Sequence, residues 1–124
     1  MKRLAQSEYE KLIEEYIALM KMHFGERLRS ICLFGSVARG NAAANSDIDI
    51  LVVADDLPEE IGLRIKETSY IHQKLKTGEG YSSLRALGKS GLISDLYFTP
   101  NEIEKHPPIL LDIAEDGIIL YDEV

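Results

Sequence analysis

Along the first quarter of the chain, apolar residues recur at three- and four-residue steps. Tyr9, Leu12, Ile13, Tyr16, Ile17, Met20 and Phe24 fall on one face at helical spacing, so the pattern predicts an amphipathic helix from Ser7 to about Phe24. Ser7, with Glu10 three residues on, forms a capping-box pattern at its start, and Gly25 suits its end. Two short apolar runs follow. Arg29 to Phe34 ends at Gly35, and Ile48 to Ala54, rich in Ile and Val, ends at Asp55-Asp56-Leu57-Pro58. Both predict central strands. Pro58 suits a first helical turn, and Glu59 and Glu60 complement a helix N-terminus, so a second long helix is expected from Pro58 through Leu75, before Thr77-Gly78 breaks the pattern. A helix between two strands is what a parallel crossover requires.

Residues 78 to 91 hold four glycines and three serines and predict a loop, with one helical turn around Ser83 to Leu87. Leu92 to Thr99 predicts a third strand, Asn101 to Glu104 and Pro108 to Ala114 short helical pieces, and Gly117 to Tyr121 a last strand at a sheet edge. The fold class expected is α/β (α+β), a mixed sheet of about four strands with helices packed against it. At 124 residues, with no repeat, low-complexity tract or linker, a single domain covering residues 1–124 is expected.

Composition narrows the function classes. No apolar run approaches the ~20 residues that span a bilayer, and Met1-Lys2-Arg3 leads into an amphipathic pattern, so the expected compartment is the cytoplasm. The single cysteine, Cys32, sits in an apolar run where a buried structural thiol is expected, and His23, His72 and His106 show no metal-ligand spacing. A formal net charge of −7 opposes binding to a long phosphate backbone. A small polyphosphate stays open, because divalent cations held by carboxylates reverse the local field.

The informative stretch runs from Phe34-Gly35-Ser36-Val37-Ala38-Arg39-Gly40 to Asp47-Ile48-Asp49-Ile50. Strand side chains alternate between faces, so Asp47 and Asp49 project to one side and Ile48 and Ile50 to the other. Two carboxylates at that spacing can converge on one hard cation such as Mg²⁺. They could equally be solvated at a strand edge, although two like charges on one face of a Val/Ile-rich strand repel each other. Gly35 permits a sharp turn and close approach of a ligand to the backbone. Ser36 adds a hydroxyl and an N–H at the start of a helical turn, and Arg39, within one turn, can bond phosphate oxygens. Gly88-Lys89-Ser90 resembles the end of a P-loop, but Ser83 stands where that motif needs a glycine, and the segment precedes a strand.

Gly-Ser followed after ten residues by Asp-x-Asp resembles the signature of the DNA polymerase β-like nucleotidyltransferase superfamily. The fuller Gly-Ser-x-Ala-Arg-Gly with Ser-Asp-x-Asp is similar to its minimal nucleotidyltransferase branch. The resemblance implies that Gly35 and Ser36 hold a triphosphate, that Asp47 and Asp49 ligate Mg²⁺, and that a third carboxylate on a later strand completes the site. The reaction implied is attack of an acceptor hydroxyl on the α-phosphorus of ATP or another nucleoside triphosphate, releasing pyrophosphate. Asp95, an aspartate inside the apolar run Leu92 to Phe98, is the expected third carboxylate. It could instead cap the preceding loop or pair with a Lys or Arg; Asp112, Asp116 and Glu79 are its weaker rivals. The minimal branch also implies a separately encoded helical HEPN protein as partner, often as toxin to this chain's antitoxin. Transfer of AMP to that partner is the leading expectation, neutralisation by binding alone the alternative, and a nucleotide sensor a third; homo-oligomerisation is left open.

Overall fold

The computed structural model describes residues 8–105, 108, 113 and 115–123. Within them lie helices α1 (Glu10–Phe24), α2 (Gly35–Arg39), α3 (Ile61–Leu75), α4 (Glu79–Ala86) and α5 (Pro100–Ile103). The strands are β1 (Leu28–Phe34), β2 (Ile48–Ala54), β3 (Ile93–Phe98) and β4 (Ile118–Asp122). The sheet order is β3-β2-β1-β4. β1 runs antiparallel to both β2 and β4, whereas β2 and β3 are parallel, as the intervening helices require. The two apolar runs expected at the centre of the sheet are there, and the last strand forms an edge.

Alternation along the strands divides the sheet into two faces. Ile31 and Leu33 of β1, Ile48, Ile50 and Val52 of β2 and Tyr97 of β3 join one core with Leu12, Ile13, Tyr16 and Met20 of α1, Ile71 of α3 and Leu84 of α4. On the opposite face a smaller cluster of Cys32, Leu51 and Val53 is met by Phe34, Phe98, Ile103 and Ile113. Cys32 is buried, as its apolar run suggested. Among the described residues no helix is long and apolar enough to cross a membrane.

Three local expectations are corrected. α1 begins at Glu10, with Tyr9 in the N-cap position and no side-chain cap; Ser7, the expected cap, lies outside the described residues, as do His106, Asp112 and most of the helical piece expected at 108–114. α3 begins at Ile61 rather than Pro58: Glu60 is extended, and the guanidinium of Arg64 reaches back to donate to the Pro58 carbonyl at 2.6 Å. The Gly-rich stretch is not a loop but contains α4. Gly80 belongs inside that helix because a Cβ there would come within 2.5 Å of the Leu12 backbone, so α1 and α4 pack against each other only across a glycine. The Glu15 carboxylate accepts from the Gly80 N–H at 3.1 Å, supplying from α1 the terminal bond that no residue of the stretch itself provides.

Asp95 is placed by the register of β3. Asp95 pairs with Ile50, and Tyr97 with Val52, so Asp95 points into the helix-covered core. There its Oδ2 accepts from the hydroxyls of Tyr16 at 2.7 Å and Tyr97 at 2.6 Å, and lies 2.9 Å from His72 Nε2. Burial pushes its pKa up, but the bonds from His72, Tyr97 and Tyr16 outweigh this and hold it below the ordinary aspartate value. Burial likewise raises both tyrosine hydroxyls, which remain neutral donors. The cluster ties α1, α3 and β3 together through one carboxylate.

Asp95→Asn is therefore expected to destabilise the protein, by about 1–3 kcal/mol at neutral pH, since charge-assisted bonds to a carboxylate are replaced by weaker ones to a neutral amide whose N–H₂ adds a donor among donors. A depressed pKa contributes stability that is complete above the unfolded value, ~3.9, and is lost as pH falls through the lower folded value. Denaturation midpoints of the two proteins should thus differ most at neutral pH and converge below about pH 4.

Candidate active site

The site is assembled where β1 ends and β2 begins. Phe34, the last residue of β1, pairs with Asp49 on β2. The chain then turns at Gly35, whose φ of +77° favours glycine, and enters the five-residue helix α2 with Ser36 as its second residue. A Cβ at position 35 would lie 2.2 Å from Asp49 Oδ2, so the turn closes onto the carboxylate only because position 35 has no side chain. α2 ends at Gly40, left-handed at φ +80°, whose N–H bonds back to the Ser36 and Val37 carbonyls. Gly35, Ser36 and Arg39 are thereby brought onto the turn that faces Asp49.

The loop that returns to β2 is held at both ends. Ser46 Oγ accepts from the Ala43 N–H at 2.9 Å, and the Ala44 carbonyl accepts from the Ser90 N–H at 2.9 Å. Ile48 N–H then donates to the Leu92 carbonyl at 2.8 Å, which starts the parallel ladder. Asp47 stands just before the first residue of β2 and is exposed; Asp49 is half-buried. Burial raises the pKa of Asp49, repulsion from Asp47 raises it further, and the charge of Arg39 opposes both. The two carboxylates and Arg39 therefore act on one another through space. Arg39 Nη1 also lies 3.5 Å from Asp116 Oδ2, a long contact on an exposed side chain.

Neither Asp47 nor Asp49 forms an ion pair within 4 Å among the described residues, unlike Asp55, which pairs with Arg29. Two unpaired oxygen donors that repel each other fit a hard divalent cation. Among the described residues, no three of His, Cys, Asp and Glu come together at ligand distance. Asp95, the expected third ligand, is on the other face, and the residue that register sets beside Asp49 is Ser94. Asp116 reaches Arg39, Asp112 lies outside the described residues, and Glu79 starts α4. Lys89 is bound by Glu8 and lies 5.3 Å over the Tyr9 ring, which accounts for it without a substrate. His72, which sequence spacing left without a role, is the donor beside Asp95; only the fold brings the two together.

The family model described as nucleotidyltransferase domain matches residues 13–120. Two proteins of Methanocaldococcus jannaschii, named by inference as protein adenylyltransferases, are similar. One is 48% identical over 48 residues, 39% of this chain and 33% of its own; the other is 48% identical over 46 residues, 37% and 46%. The matches thus span between a third and a half of those relatives. Among solved structures, a nucleotidyltransferase of Sulfolobus solfataricus, so named by inference, superposes with a TM-score of 0.61 at 19% identity, over 99% of this chain and 91% of its own. A chain from the complex of a tri-AMPylated HEPN toxin with MNT antitoxin from Shewanella oneidensis gives 0.51 at 20%, over 92% and 72%. A chain from a toxin–antitoxin structure with AMP-PNP gives 0.50 at 24%, over 88% and 73%. These likenesses are of fold.

Gly35→Ala should cost about 2–5 kcal/mol, from the left-handed backbone and the overlap with Asp49 together. The overlap part should largely be relieved when Asp49 is shortened, because the closest contact, 2.2 Å, is to its Oδ2. A double-mutant cycle of Gly35→Ala with Asp49→Ala, followed by denaturant unfolding, is expected to show at least about 1 kcal/mol of coupling.

Proposed function

We propose, because this chain belongs to the nucleotidyltransferase domain family, that it transfers AMP from ATP to a hydroxyl of a partner protein. The observation that carries the reading is the closure of the Gly35-Ser36 turn onto Asp49. That closure sets a side-chain-free backbone turn against Asp49, which like Asp47 forms no ion pair within 4 Å among the described residues. Asp47 and Asp49 would hold Mg²⁺. Bound there, the cation would supply positive charge to the phosphate oxygens, where displacement at phosphorus builds charge. Gly35 and Ser36 would orient the triphosphate, and Arg39, exposed and on the same turn, would bond its outer oxygens. Positioning and charge neutralisation account for most of such catalysis, so few further groups are needed. The acceptor oxygen bonds to the α-phosphorus and its proton passes to solvent, while the bond from the α-phosphorus to the oxygen bridging to the β-phosphorus breaks and pyrophosphate leaves with that oxygen.

The names of the Methanocaldococcus relatives support transfer to protein, and the Shewanella complex supports a helical HEPN-type partner. A second reading, in which binding alone neutralises the partner, draws on the association of toxin with antitoxin in that complex, where the toxin is nonetheless tri-AMPylated. Use of ATP makes the cytoplasm the proposed compartment.

Mg²⁺ with ATP should raise the melting temperature, and ATP with excess chelator should not, because a chain of net charge −7 holds a polyphosphate poorly without metal. Saturation at about one hundred times the dissociation constant corresponds to roughly 2.7 kcal/mol. Equal shifts with and without metal would contradict the carboxylate–metal site. Asp49→Asn should lower transfer of labelled AMP to the partner by about a hundred-fold or more while leaving the complex between the two proteins intact. Tight binding and silencing by wild type with no label transferred under any metal condition would favour the second reading.

A further inference from the structure

β3 presents two sets of side chains, and the one nearest the site is not the one that carries the aspartate. Register pairs Phe34 with Asp49 and Asp49 with Ser94, forming one row across three adjacent strands on one face. The next pairs along, Leu51 with Leu96 and Val53 with Phe98, confirm the face, because Leu51, Val53 and Phe98 pack in the same apolar cluster. Ser94 is exposed, and no hydrogen bond of its side chain occurs among those described, whereas Asp95 is turned away and saturated by Tyr16, Tyr97 and His72. A one-residue difference in phase thus separates a strand that offers a carboxylate to Asp49 from one that offers a hydroxyl.

We propose that Ser94 is the third side chain of the cation-facing row, contributing a neutral hydroxyl where a carboxylate would give the site a third negative charge. The inference rests on the reading that Asp47 and Asp49 take a divalent cation, and it adds a rule for how they do so. Two carboxylates bind a divalent ion weakly, since affinity for hard cations rises with the number of charged oxygen ligands. The ion therefore enters with the triphosphate, whose oxygens supply the missing charge, and the resting protein is largely metal-free. Register sets Ser94 directly beside Asp49 in that row.

Mn²⁺ titration of the full chain, followed by the loss of free-ion electron paramagnetic resonance signal, tests this without any turnover. Wild type should bind Mn²⁺ alone weakly and at least about ten-fold more tightly with AMP-PNP present. Ser94→Asp should tighten Mn²⁺ alone by about ten-fold or more, the gain should disappear in Ser94→Asp with Asp49→Asn, and Ser94→Asn should give none. If Ser94→Asp fails to fold, Ser94→Glu carries the same charge from the same exposed position. A folded acidic variant with wild-type Mn²⁺ affinity, or a gain that survives Asp49→Asn, would overturn the proposal. So would wild type that binds Mn²⁺ as tightly without the nucleotide as with it. AMP transfer is a separate readout: its failure with an intact Asp49-dependent gain would reject the proposed reaction and leave the Ser94 assignment standing.

Discussion

The site depends on one steric constraint, the contact of Gly35 with the Asp49 carboxylate. A strand end, a turn and the first half of a second strand converge there, and the 2.2 Å separation between a notional Cβ and Asp49 Oδ2 leaves room for nothing larger than hydrogen. The antiparallel pairing of Phe34 with Asp49 sets the distance, and the positive φ at Gly35 sets the direction in which the chain leaves. Ser36 and Arg39 follow because α2 starts immediately after that turn. The loop bonds Ala43 to Ser46 and Ser90 to Ala44 then bring the chain back, so that Asp47 enters beside Asp49. Relaxing the contact would shift all of these groups together.

The sheet gives its two faces different work. The helix-covered face buries Asp95 against Tyr16, Tyr97 and His72, and the bonds these groups make outweigh the cost of burying the charge. The other face leaves Asp47 and Asp49 without such donors, and burial together with mutual repulsion makes Asp49 harder to ionise. One carboxylate is thus satisfied by the fold and serves stability, whereas the pair forms no ion pair within 4 Å among the described residues and is the proposed cation site. The division explains how Asp49 and Asp95, on neighbouring strands, have pKa values shifted in opposite directions.

Much of this was legible in the sequence because it is local. Gly35-Ser36, Gly40, Asp47 and Asp49 lie at the ends of strands that the Ile/Val runs mark clearly, and alternation assigns the Ile48 and Ile50 side chains to the core without knowledge of any partner strand. The strand phase of β3 was not legible. Ile93, Asp95 and Tyr97 on one face and Ser94, Leu96 and Phe98 on the other are both mostly apolar, so only pairing with β2 decides which set meets Asp49. Only the second half of α4 was legible, as the turn expected around Ser83 to Leu87, for a related reason: Gly80 weakens a helix in isolation and is required only because the α1 backbone lies against it, a contact 68 positions away in the chain. Arg64 and Pro58 likewise shift the start of α3 through a side-chain bond that no local propensity encodes.

If the Gly35-Ser36 turn and the Asp47–Asp49 pair act as proposed, this face transfers a nucleotidyl rather than a phosphoryl group. The most direct measurement is to incubate the chain and a HEPN-type helical protein, the proposed acceptor, with Mg²⁺ and ATP labelled either at the α- or at the γ-phosphate. The account predicts that the α label becomes covalently attached to the partner and that the γ label is released as pyrophosphate, both in proportion to the wild-type chain added and neither with Asp49→Asn. Attachment of the γ label, or attachment of the α label undiminished by Asp49→Asn, would contradict it.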